Sequence, residues 1–301
     1  MDILSVIKDV PRTTVIVVAG PTASGKSSVA LHGAMHDNGC IINADSMQLY
    51  EGLPLLTAMP TKEDRQKVDH MLYEVLPMYS NTCSVAQWVH HARQCIETCF
   101  QRGQRPWIVG GTGFYIHALM TGLSAIPDID PEIKTQWRHH YADMTVDALR
   151  CHVTAIDPEA GHIPYDRHRL VNALVVYHAT GKPLSFWHQY PKQPPPFVFH
   201  TVLIDIALHD AVDLSMQRWL SMVDHGVYNE VASFTAHDKW RTSRLRHALG
   251  LETVKHFLDG TIDESTCHHQ YQHCVKQYIK RQKTWLRSKY RPHTVLLKKP
   301  A

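Results

Sequence analysis

The sequence predicts an α/β fold: a mostly parallel sheet covered by helices, with a helical insertion. Three observations carry this expectation. Short β-branched or apolar runs alternate with helix-like segments over the first 126 residues. The runs end in glycines or an acid, and in a parallel sheet such turns gather at the carboxyl edge, where ligands bind. Beyond residue 127 strand character gives way to helical periodicity, and residues 197–207 restore it. The expected organisation is a first core segment over 1–126, a helical insertion over 127–190, and core completion with a basic helical region over 191–301.

Taken in order, residues 14–19 are a β-branched run ending at Gly20, the pattern of a buried strand. Residues 20–26 form a Gly-rich turn and 27–36 a helix. Residues 40–44 are a second apolar run that delivers Asp45 and Ser46 at its end. Pro54 and Pro60 mark residues 52–61 as a loop, and 85–102 show apolar positions at helical spacing. Residues 107–109 predict a third strand, followed by Gly110, Gly111, Thr112 and Gly113 and a helix over 114–121. Pro127, Asp128, Asp130 and Pro131 open the insertion, which is expected to be helical over 132–188 with breaks near Asp157–Pro158 and Pro164. Gly181, Pro183 and the prolines of 191–196 close it, Pro194 to Pro196 reading as a rigid turn. After the strand of 197–207, helices are expected over 214–234, 243–258 and 265–288.

Composition bounds the function classes without choosing among them. The 301 residues are 44% hydrophobic and 20% charged, ordinary for a globular chain and unlike a disordered one. The net charge of +3 decides nothing about partners, but its distribution is informative. Lys239, Arg241, Arg244, Arg246 and Lys255, then Lys276, Lys280, Arg281, Lys283, Arg287, Lys289, Arg291, Lys298 and Lys299, make the last third basic. Such a stripe is either a footprint for a phosphate backbone or a solvated helix surface. The seven cysteines contain no CxxC pair, residues 1–12 lack the apolar core of a signal peptide, and no run of 18 apolar residues occurs. Reduced thiols, a cytoplasmic location and no membrane span are therefore expected.

Gly20-Pro21-Thr22-Ala23-Ser24-Gly25-Lys26-Ser27 matches GxxxxGK[ST] in full, between a predicted strand and a predicted helix. The glycines permit a tight turn whose N–H groups converge on phosphate oxygens, and the helix start adds unpaired donors. Lys26 supplies a point charge, and Ser27 can reach Mg²⁺ or a phosphate oxygen. The sequence thus predicts a P-loop NTPase-like parallel sheet. Asp45 should project at the same sheet edge, either as a base facing the ligand or as a cap on the following turn. Asp205, preceded by Val202-Leu203-Ile204, has the look of a Walker B acid but is followed by Ile206 and Ala207 inside the predicted strand.

Gly20 to Ser27, Asp45-Ser46-Met47-Gln48-Leu49-Tyr50, Thr57-Ala58-Met59-Pro60, Gly110-Gly111-Thr112-Gly113-Phe114-Tyr115 and residues 277–287 together resemble the tRNA dimethylallyltransferases, in the same order over nearly the whole chain. The resemblance implies transfer of a dimethylallyl group from dimethylallyl diphosphate to N6 of the adenosine 3′ of the anticodon. It also implies Mg²⁺ as cofactor, a P-loop that holds diphosphate, and a helical insertion that closes over the tRNA anticodon stem–loop. By that resemblance Asp45 accepts the N6 proton and Thr57 positions the diphosphate or the amine. Gly20, Thr22, Ala23, Ser24, Gly25, Lys26, Ser27, Gly110, Gly111, Thr112, Gly113 and Arg169 are expected to bind diphosphate, with Ser27 also at the metal. Ser46, Met47, Gln48 and Tyr50 are expected to meet tRNA, Lys280, Arg281 and Gln282 to bind tRNA at the anticodon arm or to lie near the diphosphate, and a monomer is expected. The chain departs from the family pattern at Leu56 and Met59, where glycine and lysine are usual, and at Ile163, Tyr165, Asn172, Val175, Leu214 and Leu251.

Two other classes use the same residues: a P-loop small-molecule kinase or NTPase, and a noncatalytic RNA-binding protein. Cys267, His268, His269, His273 and Cys274 form a soft-ligand cluster, but high histidine content (23 residues) makes coincidence the plainer reading. Cys95 and Cys99 are expected to pack against the sheet, and Trp137, Trp187, Trp219, Trp240 and Trp285 to be buried at helix interfaces before stacking any base.

Overall fold

The computed structural model describes residues 2–80, 83–162, 166–189 and 195–298. Its centre is one parallel sheet built from β1 (Thr14–Ala19), β2 (Gly39–Asn43), β3 (Asp69–Met71), β4 (Arg105–Gly110), β5 (Val198–Asp205) and β6 (Thr294–Leu297). The strand order is β3-β2-β4-β1-β5-β6. Every residue of β1, β2 and β4 is buried, as a parallel sheet covered on both faces requires. Helices α1 (Ile3–Ile7), α2 (Lys26–His36), α3 (Lys62–Lys67), α4 (Val85–Gln101) and α5 (Gly113–Thr121) accompany the first four strands.

Strand pairing decides which turns become neighbours. Ala19 at the end of β1 faces Gly110 at the end of β4, so the turns leaving these strands lie side by side. Asn43 of β2 pairs with Val109 on the other side of β4, which brings Asp45 to the same edge. Trp107 of β4 fills the space between α2 and β2. A Cβ on Gly33 or Gly39 would come within 2.3 or 2.7 Å of its ring, so both positions are glycine for close packing.

Two units make up the chain: Met1–Met120 with Pro195–Ala301, and Thr121–Pro194. The second contains α6 (Pro131–His140), α7 (Val146–Ile156), α8 (Arg167–Thr180) and α9 (Leu184–Gln189). The second unit is thus bounded at Thr121 and Pro194, where the sequence set the insertion at 127–190. Its core is Leu149, Val153, Leu170 and Leu174 around Tyr141. Trp137 stacks on His178 with ring centroids 3.6 Å apart, and His178 Nε2 lies 2.7 Å from the Tyr141 hydroxyl. The first unit is completed by α10 (Leu208–Asp224), α11 (Val227–Thr235), α12 (Leu251–Leu258) and α13 (Glu264–Lys289).

Several expectations are corrected. The helix expected over 132–188 also breaks at 141–145, where Tyr141 ends α6 and the Thr145 hydroxyl caps α7; neither glycine nor proline announces that break. The helix expected over 214–234 begins at Leu208 and divides at Gly226, whose φ of 91° no helix interior accepts. Of the segment 243–258, Arg244–His247 is a 3₁₀ turn and only Leu251–Leu258 is α-helical. α1, α3, β3 and β6 carry no clear periodic signal because each has six residues or fewer. The expected break at Pro164, the prolines from 191 to 194 and Lys299 lie outside the described residues. No helix among the described residues is long and apolar enough to cross a membrane.

Candidate active site

The turn between β1 and α2 has the conformation its composition calls for. Gly25 stands at φ 81°, and Ala23, without a glycine's freedom, stands at φ 57°. The Ser24 N–H donates to the Pro21 carbonyl, 3.2 Å away, closing the loop. The Ser24 hydroxyl is buried and has no partner in the protein. The N–H groups of Lys26, Ser27 and Ser28 open α2 and have no intrahelical acceptor. Lys26 Nζ lies 3.3 Å from the Pro21 carbonyl. Burial lowers the Lys26 ammonium from an ordinary 10.5 to about 8; Asp45 opposes the shift and Arg218 adds to it. The turn is therefore a cradle of backbone donors around one desolvated cation.

Asp45 is placed by Asn43, a buried residue whose part the sequence did not reveal. Asn43 Oδ1 accepts from the Asp45 N–H at 2.7 Å, and Asn43 Nδ2 donates to the carbonyls of Asp45 and Leu72 at 3.0 and 2.9 Å. Trp88 of α4 donates its indole N–H to the Asn43 carbonyl at 3.1 Å and stacks on Tyr115. With its acceptors and donors fixed in this way, the β2 end is rigid. One carboxylate oxygen of Asp45 accepts from the Met47 N–H at 3.0 Å. The capping role and the cleft-facing role thus coexist in one side chain.

A cleft of about 320 Å³ in the first unit joins these groups. Thr22, Lys26 and Ser27 line it from the cradle, and Asp45, Ser46, Met47, Gln48 and Thr57 from the loops after β2. Arg218, Arg244, Tyr278 and Arg281 line it from the second half of the chain. Asp45 is the only acid in that lining. Arg218 donates to the Thr22 hydroxyl at 3.0 Å, while its buried Nε has no partner. Ser24 Oγ and Arg218 Nε are unpaired donors of the kind an anion satisfies. Tyr73 and Tyr278 are pushed up by burial and by the Asp45 charge, so both stay neutral phenols.

The turn after β4 closes the site by close approach. A Cβ on Gly110 would meet the Ala44 carbonyl carbon and oxygen at 2.2 Å, and one on Gly113 would strike the Trp285 ring at 2.1 Å. Thr112 Oγ1 accepts from the Ser46 N–H at 3.1 Å, tying this turn to the Asp45 loop. The 53–58 loop is held from two sides. Gln48 Nε2 donates to the carbonyls of Thr57 and Ala58, both at 2.9 Å, and the Glu230 carboxylate accepts from the N–H groups of Leu55 and Leu56 at 2.8 and 2.9 Å.

The structure brings together Thr22, Lys26, Ser27, Asp45, Ser46, Met47, Gln48, Thr57, Gly110 and Arg281 of the residues singled out above. Two expectations are revised. Tyr50 is 1% exposed and its hydroxyl accepts from the Cys83 N–H at 2.8 Å, so it is a core residue rather than a base contact. Gln282 is also buried; its Oε1 accepts from the Thr22 N–H and its Nε2 donates to the Gly111 carbonyl, so of the two placements expected it takes the one beside the phosphate cradle and not an RNA surface. Arg169 lies in the second unit, exposed on the first turn of α8. Lys280 is exposed on α13. Lys283, counted in the basic stripe, is instead paired with Asp205 at 2.6 Å, which removes Asp205 from any Walker B role. Cys267 is buried and His268 Nδ1 accepts from the Trp219 indole, so these two pack, while His269 and His273 are exposed. No group of three or more His, Cys, Asp or Glu among the described residues could hold a metal.

Sequence reasoning missed Arg218 as a cleft residue, although it stands beside Gln217 on a helix with no other arginine. It also missed Lys298, whose Nζ lies over Gly25, 2.9 Å from where a Cβ would be. Only the pairing of β6 with β5 reveals that proximity.

A parallel sheet with a P-loop at its carboxyl edge and one carboxylate across a cleft defines a P-loop α/β protein with a site for a phosphate-bearing ligand. The model of the family described as IPP transferase matches residues 48–289. A tRNA dimethylallyltransferase of Azorhizobium caulinodans is 34% identical over 276 residues, covering 90% of this chain and 88% of its own length. The solved tRNA isopentenylpyrophosphate transferase of Bacillus halodurans is 26% identical, with a TM-score of 0.67 over 95% of this chain and 90% of that one. A eukaryotic dimethylallyltransferase acting on tRNA shares the fold at 22% identity, with a TM-score of 0.75 over 91% of this chain and 69% of that one. The chain belongs to the IPP transferase family.

Proposed function

We propose that this protein transfers a dimethylallyl group from dimethylallyl diphosphate to N6 of the adenosine 3′ of the anticodon in tRNA, releasing diphosphate. The observation that carries this reading is the pairing, within one cleft, of a complete anion cradle with a single carboxylate, in a chain of this family. The diphosphate is held by backbone N–H groups of the cradle, by Lys26 and by Arg218. The apolar wall of Met47, Leu56, Leu249 and Tyr271 receives the five-carbon group. The lone pair of the N6 amine forms the new C–N bond as the bond from that carbon to the diphosphate oxygen breaks. Asp45 takes the proton that leaves nitrogen. Charge developing on the departing oxygen is met by donors already in place, which is where such sites gain most of their rate.

Thr57 fits the amine side. Its hydroxyl proton is donated to the Leu53 carbonyl at 2.7 Å, so towards the cleft it presents lone pairs, which accept an amine N–H and repel a phosphate oxygen. Mg²⁺ suits the donor set: the Ser27 hydroxyl with phosphate oxygens and water is a usual arrangement for this ion, and it would neutralise charge on the leaving group. Arg281 over the Tyr278 ring, with Arg244 nearby in the lining, gives the cleft a cationic mouth suited to an RNA backbone. The sequence's reduced-thiol pattern supports action in the cytoplasm. A kinase reading lacks its second acid, because Asp205 is engaged with Lys283.

The test is nucleoside mass spectrometry after incubating the protein with Mg²⁺, dimethylallyl diphosphate and an anticodon stem–loop. The expected product is adenosine heavier by one dimethylallyl group. Retention of the RNA without product would overturn the reading in favour of a noncatalytic RNA-binding protein. Turnover of the γ-phosphate of ATP would overturn it in favour of a kinase or NTPase.

A further inference from the structure

Gln282 sits two-thirds of the way along α13, a helix whose exposed face carries the basic stripe, yet its own side chain points into the protein. It is 7% exposed. Oε1 accepts from the Thr22 N–H at 2.8 Å and Nε2 donates to the Gly111 carbonyl at 3.2 Å. One amide therefore bridges the turn after β1, which forms the anion cradle, and the turn after β4 that lies beside it. The fit is close: a Cβ on Gly111 would come within 2.5 Å of Nε2. Gly111 has to lack a side chain for the bridge to form.

We propose that Gln282 is a positioning residue that holds the phosphate cradle in its binding conformation before the anion arrives. Thr22 is gripped at two points, its N–H by Gln282 and its hydroxyl by Arg218. The next residue, Ala23, stands at φ 57°, a conformation a non-glycine residue adopts only when its surroundings impose it. Fixing Thr22 on one side and closing Ser24 onto Pro21 on the other imposes it here. The bridge also turns the Thr22 N–H away from the anion, leaving later donors of the loop and α2 to bind it. Among side chains of this length only a neutral amide both accepts from a backbone N–H and donates to a backbone carbonyl. Glutamate would keep the first bond, lose the second and set an anion beside the diphosphate. Methionine would fill the space and leave both backbone groups unpaired. A preorganised cradle lowers the cost of binding, so the loss should fall on diphosphate affinity.

This rests on the proposed transfer reaction for the identity of the anion, and the experiment separates the two. Calorimetry with Mg²⁺–pyrophosphate and with dimethylallyl diphosphate is run on wild type, Gln282→Met and Gln282→Glu, alongside binding of an anticodon stem–loop and thermal melts. Gln282→Met is expected to raise the Kd for both diphosphates by about tenfold or more, the cost of ordering on binding a loop that is no longer held beforehand, with stem–loop affinity within about twofold of wild type. Gln282→Glu, which keeps the Thr22 bond and so guards against a variant that fails to fold, is expected to bind diphosphate more weakly still. Unchanged diphosphate affinity in both variants overturns the proposal. So does a loss confined to the stem–loop, which would make Gln282 an RNA contact. A wild-type protein that binds neither diphosphate defeats the transfer reading and this proposal together; wild-type binding with unaffected variants defeats only this one.

Discussion

The two sides of the cleft are built in opposite ways. The cradle is one continuous stretch, residues 20–27, whose glycines and helix start supply its donors locally while Gln282 and Arg218 grip it at Thr22. The facing wall is assembled from residues as far apart as Met47, Arg218, Arg244 and Tyr278, each delivered by a different element. A local turn can supply backbone donors and one lysine. It cannot supply a base or a second cation at the opposite face, because a chain leaving the sheet edge moves away from it. The proposed specificity therefore lives in the non-local wall and the anion affinity is shared by both.

The sharpest way to break this comparison is at Asp45. Replacing it with Asn keeps an oxygen to accept from the Met47 N–H and removes the proton acceptor. Turnover should fall by about 10² to 10⁴-fold, with both substrates bound nearly as before. Near-normal single-turnover transfer at saturating substrates would reduce Asp45 to a cap on its loop.

Lys26→Met tests the local side. Its ammonium has a pKa of about 8 in the folded chain against 10.5 when free, so the unfolded chain binds the proton more tightly. The charge on Lys26 thus opposes folding at pH 7, and that opposition fades as pH rises from about 8 to 10.5. The variant should lose diphosphate affinity yet be more stable than wild type in denaturant melts at pH 7, with the gap closing towards pH 10.5. A variant less stable at neutral pH would mean that Lys26 acts as a structural tether to Pro21.

Arg218→Met removes the cation that the wall adds to the cradle. Charge-assisted hydrogen bonds are typically worth about 1.5–3 kcal/mol, so diphosphate affinity should drop by roughly 10- to 100-fold. The stem–loop affinity should change little. Equal diphosphate binding, measured by calorimetry, would leave the cradle as the sole anion site.

The smallest expected effect separates solvated lysines from internal ones. Exposed Lys280 and Arg281 should each flatten the plot of log K against log salt for stem–loop binding by roughly 0.7 to 0.9 when changed to Ala. Lys283→Ala should leave that slope alone and lower the melting temperature, since Lys283 is paired with Asp205. A slope change at Lys283 would return it to the RNA-binding stripe.

What the sequence determined by itself was local. The strand of residues 14–19, the cradle, the second strand ending before Asp45 and the Gly110–Gly113 turn were all legible, because each is fixed by neighbours a few residues away. Thr57 and Gln48 stood out in the sequence, but which of their polar atoms remain for a ligand did not. That depends on the Leu53 carbonyl and on the loop that Glu230 holds from another helix. Tyr50 was expected to meet RNA, and Gln282 to meet RNA or lie near the diphosphate. Burial turned one into core and the other into a bridge between two glycine turns. Arg218 and Lys298 reach the cradle only because α10 and β6 pack where the strand order places them, far from residue 20 in sequence. Backbone conformation is encoded at short range by sterics and hydrogen bonding, whereas the partner of a side chain is set by how distant elements pack, and only the tertiary structure decides that.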